Sequence, residues 1–275
     1  MKGLTALRNV ASDEALQQIS GIAAKVKFAG LKKRADQAMD EIAAQRGFTR
    51  DELEDRVIPD GGLGERGTRI FDYGTRRFLA YVTPEGKLAA RLLDAEDHPT
   101  GKVLSTLPAP NKNDDTEQAK TAKAEYNLVK KAVTTLTKVQ LARFERAMIQ
   151  DRRWTPEDHA RFIAPHPVLR RLLAGTIWGL HDTENTLKAT ARIDEDGHLV
   201  DPDDEPVNTE GCSIGIVHPL ELDDTTKAAW GEVLADYELA QPFKQLDRPV
   251  LHLPEGQGDD TKLHDLPKGK FPATK

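Results

Sequence analysis

Between positions 216 and 248 the chain sets side chains capable of chemistry among strong core formers. His218, Asp236, Tyr237, Glu238, Gln241, Gln245 and Arg248 stand among Ile216, Leu220, Trp230, Leu234, Phe243 and Leu246. Polar groups beside a core must be hydrogen-bonded, which allows two readings. The seven could form a structural network that holds the last helix and its loop to a sheet. They could also line a binding pocket in which a titratable imidazole lies beside two carboxylates, so that His218 with Asp236 or Glu238 would suit acid–base work. A second set is basic: Lys130, Lys131, Lys138, Arg143, Arg146, Arg152 and Arg153. Clustered Lys and Arg suit phosphates, but stacking on bases needs exposed aromatics. Aromatic residues are 5% of the chain, and Phe144 falls on the apolar side of its helix pattern. A solvated helix face explains the same residues.

Other signatures fail on spacing or context. Gly62, Gly64 and Gly67 match G-x-G-x-x-G, but a short helix precedes them and a strand pattern follows, the reverse of what a dinucleotide site needs. The acids Asp194, Asp196, Asp201, Asp203, Asp204 and Glu205 invite a calcium loop, yet glycine falls at its fourth position rather than its sixth. His181, His198, His218 and Cys212 lack the helical pair spacing of a zinc site. Ser213 lies in Cys-Ser-Ile-Gly, not in a nucleophile elbow. No cofactor or metal is expected.

The elements that must position these residues read as mixed helix and strand. The chain has 275 residues, 38% hydrophobic and 31% charged, with mean hydropathy −0.56 and net charge −6. That is enough for a sizeable core and too apolar for disorder. One cysteine, Cys212, excludes an internal disulfide. Without a long apolar run or a signal-peptide core at Met1 to Val10, a cytoplasmic setting with no membrane is expected. Charge is split: residues 118–181 hold 12 basic and 5 acidic side chains, residues 182–265 hold 6 and 21. The two regions could attract each other within one fold or serve separate partners.

In order, Ser12 starts a helix with Leu16, Ile19, Ile22 and Val26 on one face. Leu31, Ala35, Ala38 and Ile42 form a second stripe, and Thr49 with Glu52 has capping-box spacing. RIFDY, RRFLAYV and KLAARLL read as a meander that continues into KVLSTL. A helix is expected from Thr116 to about Ile149, with Leu128, Leu136, Val139, Phe144, Ala147 and Met148 as core and a bend near Thr134, Thr135 and Thr137. Thr155-Pro156-Glu157-Asp158 starts another helix. A further one is expected over Val168–Trp178, burying Leu169, Leu172, Leu173 and Ile177. Residues 135–182 would thus be a central helical layer. TLKATARI and HLVDP form a hairpin, CSIGIVHPLEL a short buried strand, and Asp223 caps a last helix. The expected divisions are a helical hairpin region at 1–58, a β-meander at 68–107, a mixed region at 116–253 and a loose tail at 254–275. The fold class is α+β.

The segments GIVHPLEL and AAWGEVLADYELAQPFKQLDRPV, with ELEDRVIPDGGL, FDYGTRRF and RRWTPEDHARFIAPHPVLRRLLAGTIWG, resemble a bacterial domain family of unknown function. That family occurs in MolR-like (molybdate metabolism regulator) and YehI-like, WGR-associated proteins, and the likeness spans roughly residues 20–253. It brings no established catalytic residues. It implies a fragment of a larger protein, a possible nucleic-acid context through WGR fusion, and protein partners. No WGR module is present here; Trp230-Gly231-Glu232 lies inside a helix pattern. The expected function is a non-catalytic interaction or regulatory module working with protein partners or other domains of the parent chain. Nucleic-acid binding through the basic stretch is the first alternative, and an enzyme with an acid–base site near His218 the second.

Overall fold

The computed structural model describes residues 15–16, 18–19 and 28–249. Ser12, Ile22, Val26 and the tail 254–275 lie outside the described residues. The class is α+β. Helix α1 (Ala29–Arg46) ends at Gly47, whose left-handed backbone (φ 73°) lets its N–H reach the last carbonyls. Helix α2 (Arg50–Arg56) begins with the capping box: Thr49 Oγ1 accepts from Glu52 N (3.2 Å) and Glu52 Oε2 accepts from Thr49 N (2.6 Å). Leu16, Ile19, Ala35, Met39, Ile42 and Leu53 pack into one small apolar cluster.

The meander is a four-stranded antiparallel sheet of β1 (Thr68–Asp72), β2 (Arg77–Val82), β3 (Leu88–Leu93) and β4 (Pro99–Leu104), in that order. Its inner face packs on helix α3 (Thr116–Ile149) through Phe71, Phe78, Ala80 and Leu88 against Tyr126, Val129, Val133 and Leu136. Phe71 meets Tyr126 edge-on at 5.4 Å. The turn between β2 and β3 rests directly on α3: Thr137 Oγ1 donates to Gly86 O (2.8 Å). A Cβ on Gly86 (φ +68°) would lie 2.3 Å from Thr137 Cγ2, so this contact requires glycine.

Helix α3 runs unbroken through its threonines. Thr134 and Thr135 donate their hydroxyls to the carbonyls of Lys130 and Lys131, one turn back (2.8 and 2.9 Å), so neither competes for the ladder. Two expected core positions on this helix face outward instead: Leu128 is 65% exposed and Val139 37%. The buried residues of α3 lie along one side of the helix, and both of these lie off it.

The expected helix over Val168–Trp178 is a correction. After the short β5 (Arg153–Trp154), α4 (Pro156–Asp158) passes into a π-helical turn (His159–Ile163), and α5 spans only Leu169–Leu172. Beyond Leu173 the chain leaves the helix. Gly175 packs on the Ala240 carbonyl so closely that a Cβ there would lie 2.5 Å from its oxygen. Trp178 then begins strand β6 (Trp178–His181). The apolar spacing from Leu169 to Ile177 suited a helix, but Thr176, Ile177 and Trp178 suit a strand better. Residues 135–182 are therefore a mixed layer. A five-stranded antiparallel sheet follows in the order β5, β9 (Ser213–Ile216), β6, β7 (Leu187–Ile193) and β8 (Leu199–Val200). Its inner residues Trp154, Trp178, Ile214 and Ile216 join Phe144 and Met148 of α3. Its other face carries Ile177 and Val217, which pack on Trp230 and Val233 of helix α6 (Asp224–Asp236).

A buried ion cluster holds α2 to the rest. Asp55, 3% exposed, accepts from the guanidinium groups of Arg143 and Arg152 and from Trp154 Nε1 (2.8 Å). Arg143 also donates to Gln140 Oε1 (3.1 Å) and Asp51 O (3.1 Å). Truncating one member of such a set leaves the others charged and unpaired. Asp55→Ala should therefore lower unfolding free energy by about 3–5 kcal/mol in urea titration. A midpoint within error of the native chain would show that the arginines rehydrate freely.

Candidate functional site

The seven polar residues of 218–248 divide. Gln245 is sealed in: its Oε1 accepts from Ile177 N (2.9 Å), and its Nε2 donates to Ile177 O (2.7 Å) and Val217 O (2.9 Å). The side-chain amide thus extends the ladder where β6 begins and β9 ends. Gln241 supports it, donating to Gly175 O (3.3 Å) and Gln245 Oε1 (3.2 Å) and accepting from Leu246 N (2.9 Å). Arg248 donates to Glu145 Oε1 of α3 (2.7 Å). His218 precedes the 3₁₀ turn Pro219–Glu221, accepts at Nδ1 from Leu220 N (3.3 Å), and donates its backbone N–H to Glu221 (2.7 Å). Burial and then the Arg248 charge push its imidazole pKa down, with Glu221 pulling weakly upward. Leu220, expected in the core, is 60% exposed because the turn carries it outward.

Asp236, the last residue of α6, and Glu238, just past it, are exposed, and neither is hydrogen-bonded or ion-paired to His218. Tyr237 points elsewhere. Its hydroxyl donates to Asp204, and the Arg192 guanidinium lies 4.4 Å from its ring centroid. The bond to Asp204 raises the phenol pKa, and the same bond, then Arg192, lowers that of Asp204. These three border a cleft of about 400 Å³ that Arg170, Arg171, Asp194 and Glu195 also line, with Arg171 4.0 Å from Glu195. No local pattern marks Arg192, one of the alternating residues of LKATARI.

The basic set also divides. Arg143 and Arg152 are bound to Asp55, and Arg153 lies against Asp151 and Glu221. Lys130 donates to Ser105 O (2.6 Å). Lys131, Lys138 and Arg146 are exposed on α3 and carry no ion pair among the described residues.

Two buried histidines escape any spacing rule. His181, fully buried, sets Nε2 2.8 Å from Glu221 Oε1, its ring above Gly179. Arg153 lies likewise over Gly215, where a Cβ would come 2.1 Å from Nη1. His159 begins the π-helical turn with its ring 4.5 Å from that of Trp178 and no partner at Nε2. Burial holds its pKa at about 4, with the Asp55 charge pulling weakly upward. Among the described residues His181, His198, His218 and Cys212 form no common group. Asp194, Asp196 and His198 do converge, as a consequence of turn geometry: Asp194 Oδ1 accepts from Asp196 N and His198 N. Asp94 is wired identically to Glu96 and His98.

These observations describe an α+β domain whose buried polar groups mostly serve its own structure. Residues 101–273 match the family described as Domain of unknown function (DUF4132), and the chain belongs to it. It is similar to the uncharacterized protein YehI of Escherichia coli (strain K12), at 29% identity over 266 residues. That alignment covers 96% of this chain and 22% of that relative, so the chain spans about a fifth of its length. No solved structure matches the chain. Among the described residues no helix is long and apolar enough to cross a membrane.

Gln245→Ala should cost about 1–3 kcal/mol by leaving Ile177 N and Val217 O unpaired, whereas Asp236→Asn and Glu238→Gln should stay within about 0.5 kcal/mol. Equal effects in chemical denaturation would contradict this division. The His159 imidazole is depressed below its ordinary 6.5. The folded state therefore binds the proton less readily than the unfolded state, and stability present above pH 6.5 is lost as pH falls toward about 4. Over that window His159→Phe should lose less stability than the native chain, by on the order of 3 kcal/mol. Parallel pH curves would overturn the assignment.

Proposed function

We propose that this chain is a non-catalytic interaction module of a larger cytoplasmic bacterial protein, of the MolR-like, WGR-associated kind. The observation that supports it most is the outward face of α3. Exposed Leu128, Val139 and Ile149 share that face with Lys131, Lys138 and Arg146, cations that meet no carboxylate among the described residues. Such a face suits a partner surface, either a separate protein or another part of the parent chain. An acid–base enzyme finds less support. His218 is bonded to its own turn and makes no hydrogen bond or ion pair with Asp236 or Glu238.

Nucleic-acid binding keeps three of its seven proposed cations, and both aromatics of α3, Tyr126 and Phe144, are buried. Fluorescence anisotropy with labelled single- and double-stranded DNA and RNA separates the readings. At about 50 mM salt the module reading expects affinities weaker than about 10 μM for all of them. Binding tighter than that, falling steeply by about 200 mM salt, would make the basic helix a phosphate site and displace the proposal.

A further inference from the structure

Positions 128, 132, 135, 139, 142, 146 and 149 alternate by four and three residues, the spacing that keeps side chains on one stripe of a helix. They are Leu, Ala, Thr, Val, Ala, Arg and Ile, and every one is exposed or half-exposed. Leu128 is 65% exposed, Val139 37% and Ile149 49%. Because Thr135 turns its hydroxyl back onto the Lys131 carbonyl (2.9 Å), its polar group is already satisfied. Small residues separate the larger ones, as in seams that accept the side chains of a second helix. At 1.5 Å rise per residue the stripe is roughly 32 Å long.

Charge selects among occupants. Each acid of α3 is already paired within the chain: Glu117 with Lys120 (2.9 Å), Glu125 with Arg69 (2.6 Å) and Glu145 with Arg248 (2.7 Å). Lys131, Lys138 and Arg146, about two helical turns apart along the stripe, have no counter-charge among the described residues. A second copy laid against the same face would oppose cation to cation. A phosphate backbone would use the cations but leave Leu128, Val139 and Ile149 wet, and α3 exposes no ring for a base to stack on. An acidic helix with an apolar stripe answers both features.

We propose that residues 128–149 of α3 form the docking surface for an acidic amphipathic helix, an inference that rests on the interaction-module reading. The cations Lys131, Lys138 and Arg146 set its orientation, and the aliphatic stripe holds it.

The test uses the full chain and a fluorescein-labelled 21-residue peptide with leucine at heptad a and d positions and glutamate flanking them. Polyglutamate of equal length and oligo-dT serve as charge controls. At ~100 mM salt the peptide should bind saturably and at least about 10-fold tighter than either control. Val139→Asp and the pair Lys131→Glu with Lys138→Glu should each weaken it at least about 10-fold. The melting temperature should stay unchanged, because all three side chains are exposed. Polyglutamate binding as well as the peptide, or indifference to Val139→Asp, overturns the proposal. If neither peptide nor oligo-dT binds, the helix proposal falls and the module reading stands. If oligo-dT binds tightest, both fall.

Discussion

A carboxylate in the interior is the constraint around which this fold closes. Two guanidinium groups and an indole N–H converge on the buried Asp55, and desolvation makes each partner of such a cluster dependent on the others. The donors come from α3, from the residue before β5, and from β5 itself. Closing this cluster therefore fixes α2, the end of the long helix and the first strand of the second sheet together. Arg56 extends the joint, pairing with Asp158 (2.9 Å) and lying over the rings of Phe48 and Phe162.

From that joint α3 works as a shared wall. Its first half takes the meander through Tyr126 and Val133. Its second half takes the other sheet through Phe144, which lies 5.9 Å from Trp154 and 6.3 Å from Trp178. Covering two buried directions leaves a third side of the helix without tertiary cover, and that uncovered side is where the interaction surface is proposed.

Features that act over a few residues were legible in the amino-acid sequence. Thr49 with Glu52, Thr155 before Pro156, and Asp223 before α6 each cap a helix through a bond to a near neighbour. The meander's turns carry their own chemistry in the same way. Legibility failed where a distant residue decides. Leu169, Leu172, Leu173 and Ile177 are all buried, as a helix pattern implies, yet the approach of Ala240 at Gly175 and pairing with β9 turn Trp178 into a strand. Arg143 and Arg152 look like members of a basic stripe until Asp55, 88 and 97 residues away, claims them.

The candidate site shows the same limit. Tyr237 sits between Asp236 and Glu238 in the chain, but its ring and hydroxyl belong to Arg192 and Asp204 across the cleft. Gln245 has no signature at all. Its role comes from two backbone groups it happens to reach, the N–H of Ile177 and the carbonyl of Val217.

The most direct measurement of the central claim is cysteine protection at the α3 face within cells. In a Cys212→Ser background, Val139→Cys and Ile70→Cys would be introduced separately into the larger parent protein proposed above and into the isolated chain. Ile70, 49% exposed on the meander, is the reference. If the face is a docking surface, maleimide labelling at position 139 relative to position 70 falls several-fold in the parent protein inside cells and recovers in the purified chain. The same ratio in both settings would mean that nothing docks there, and α3 would be a solvated wall.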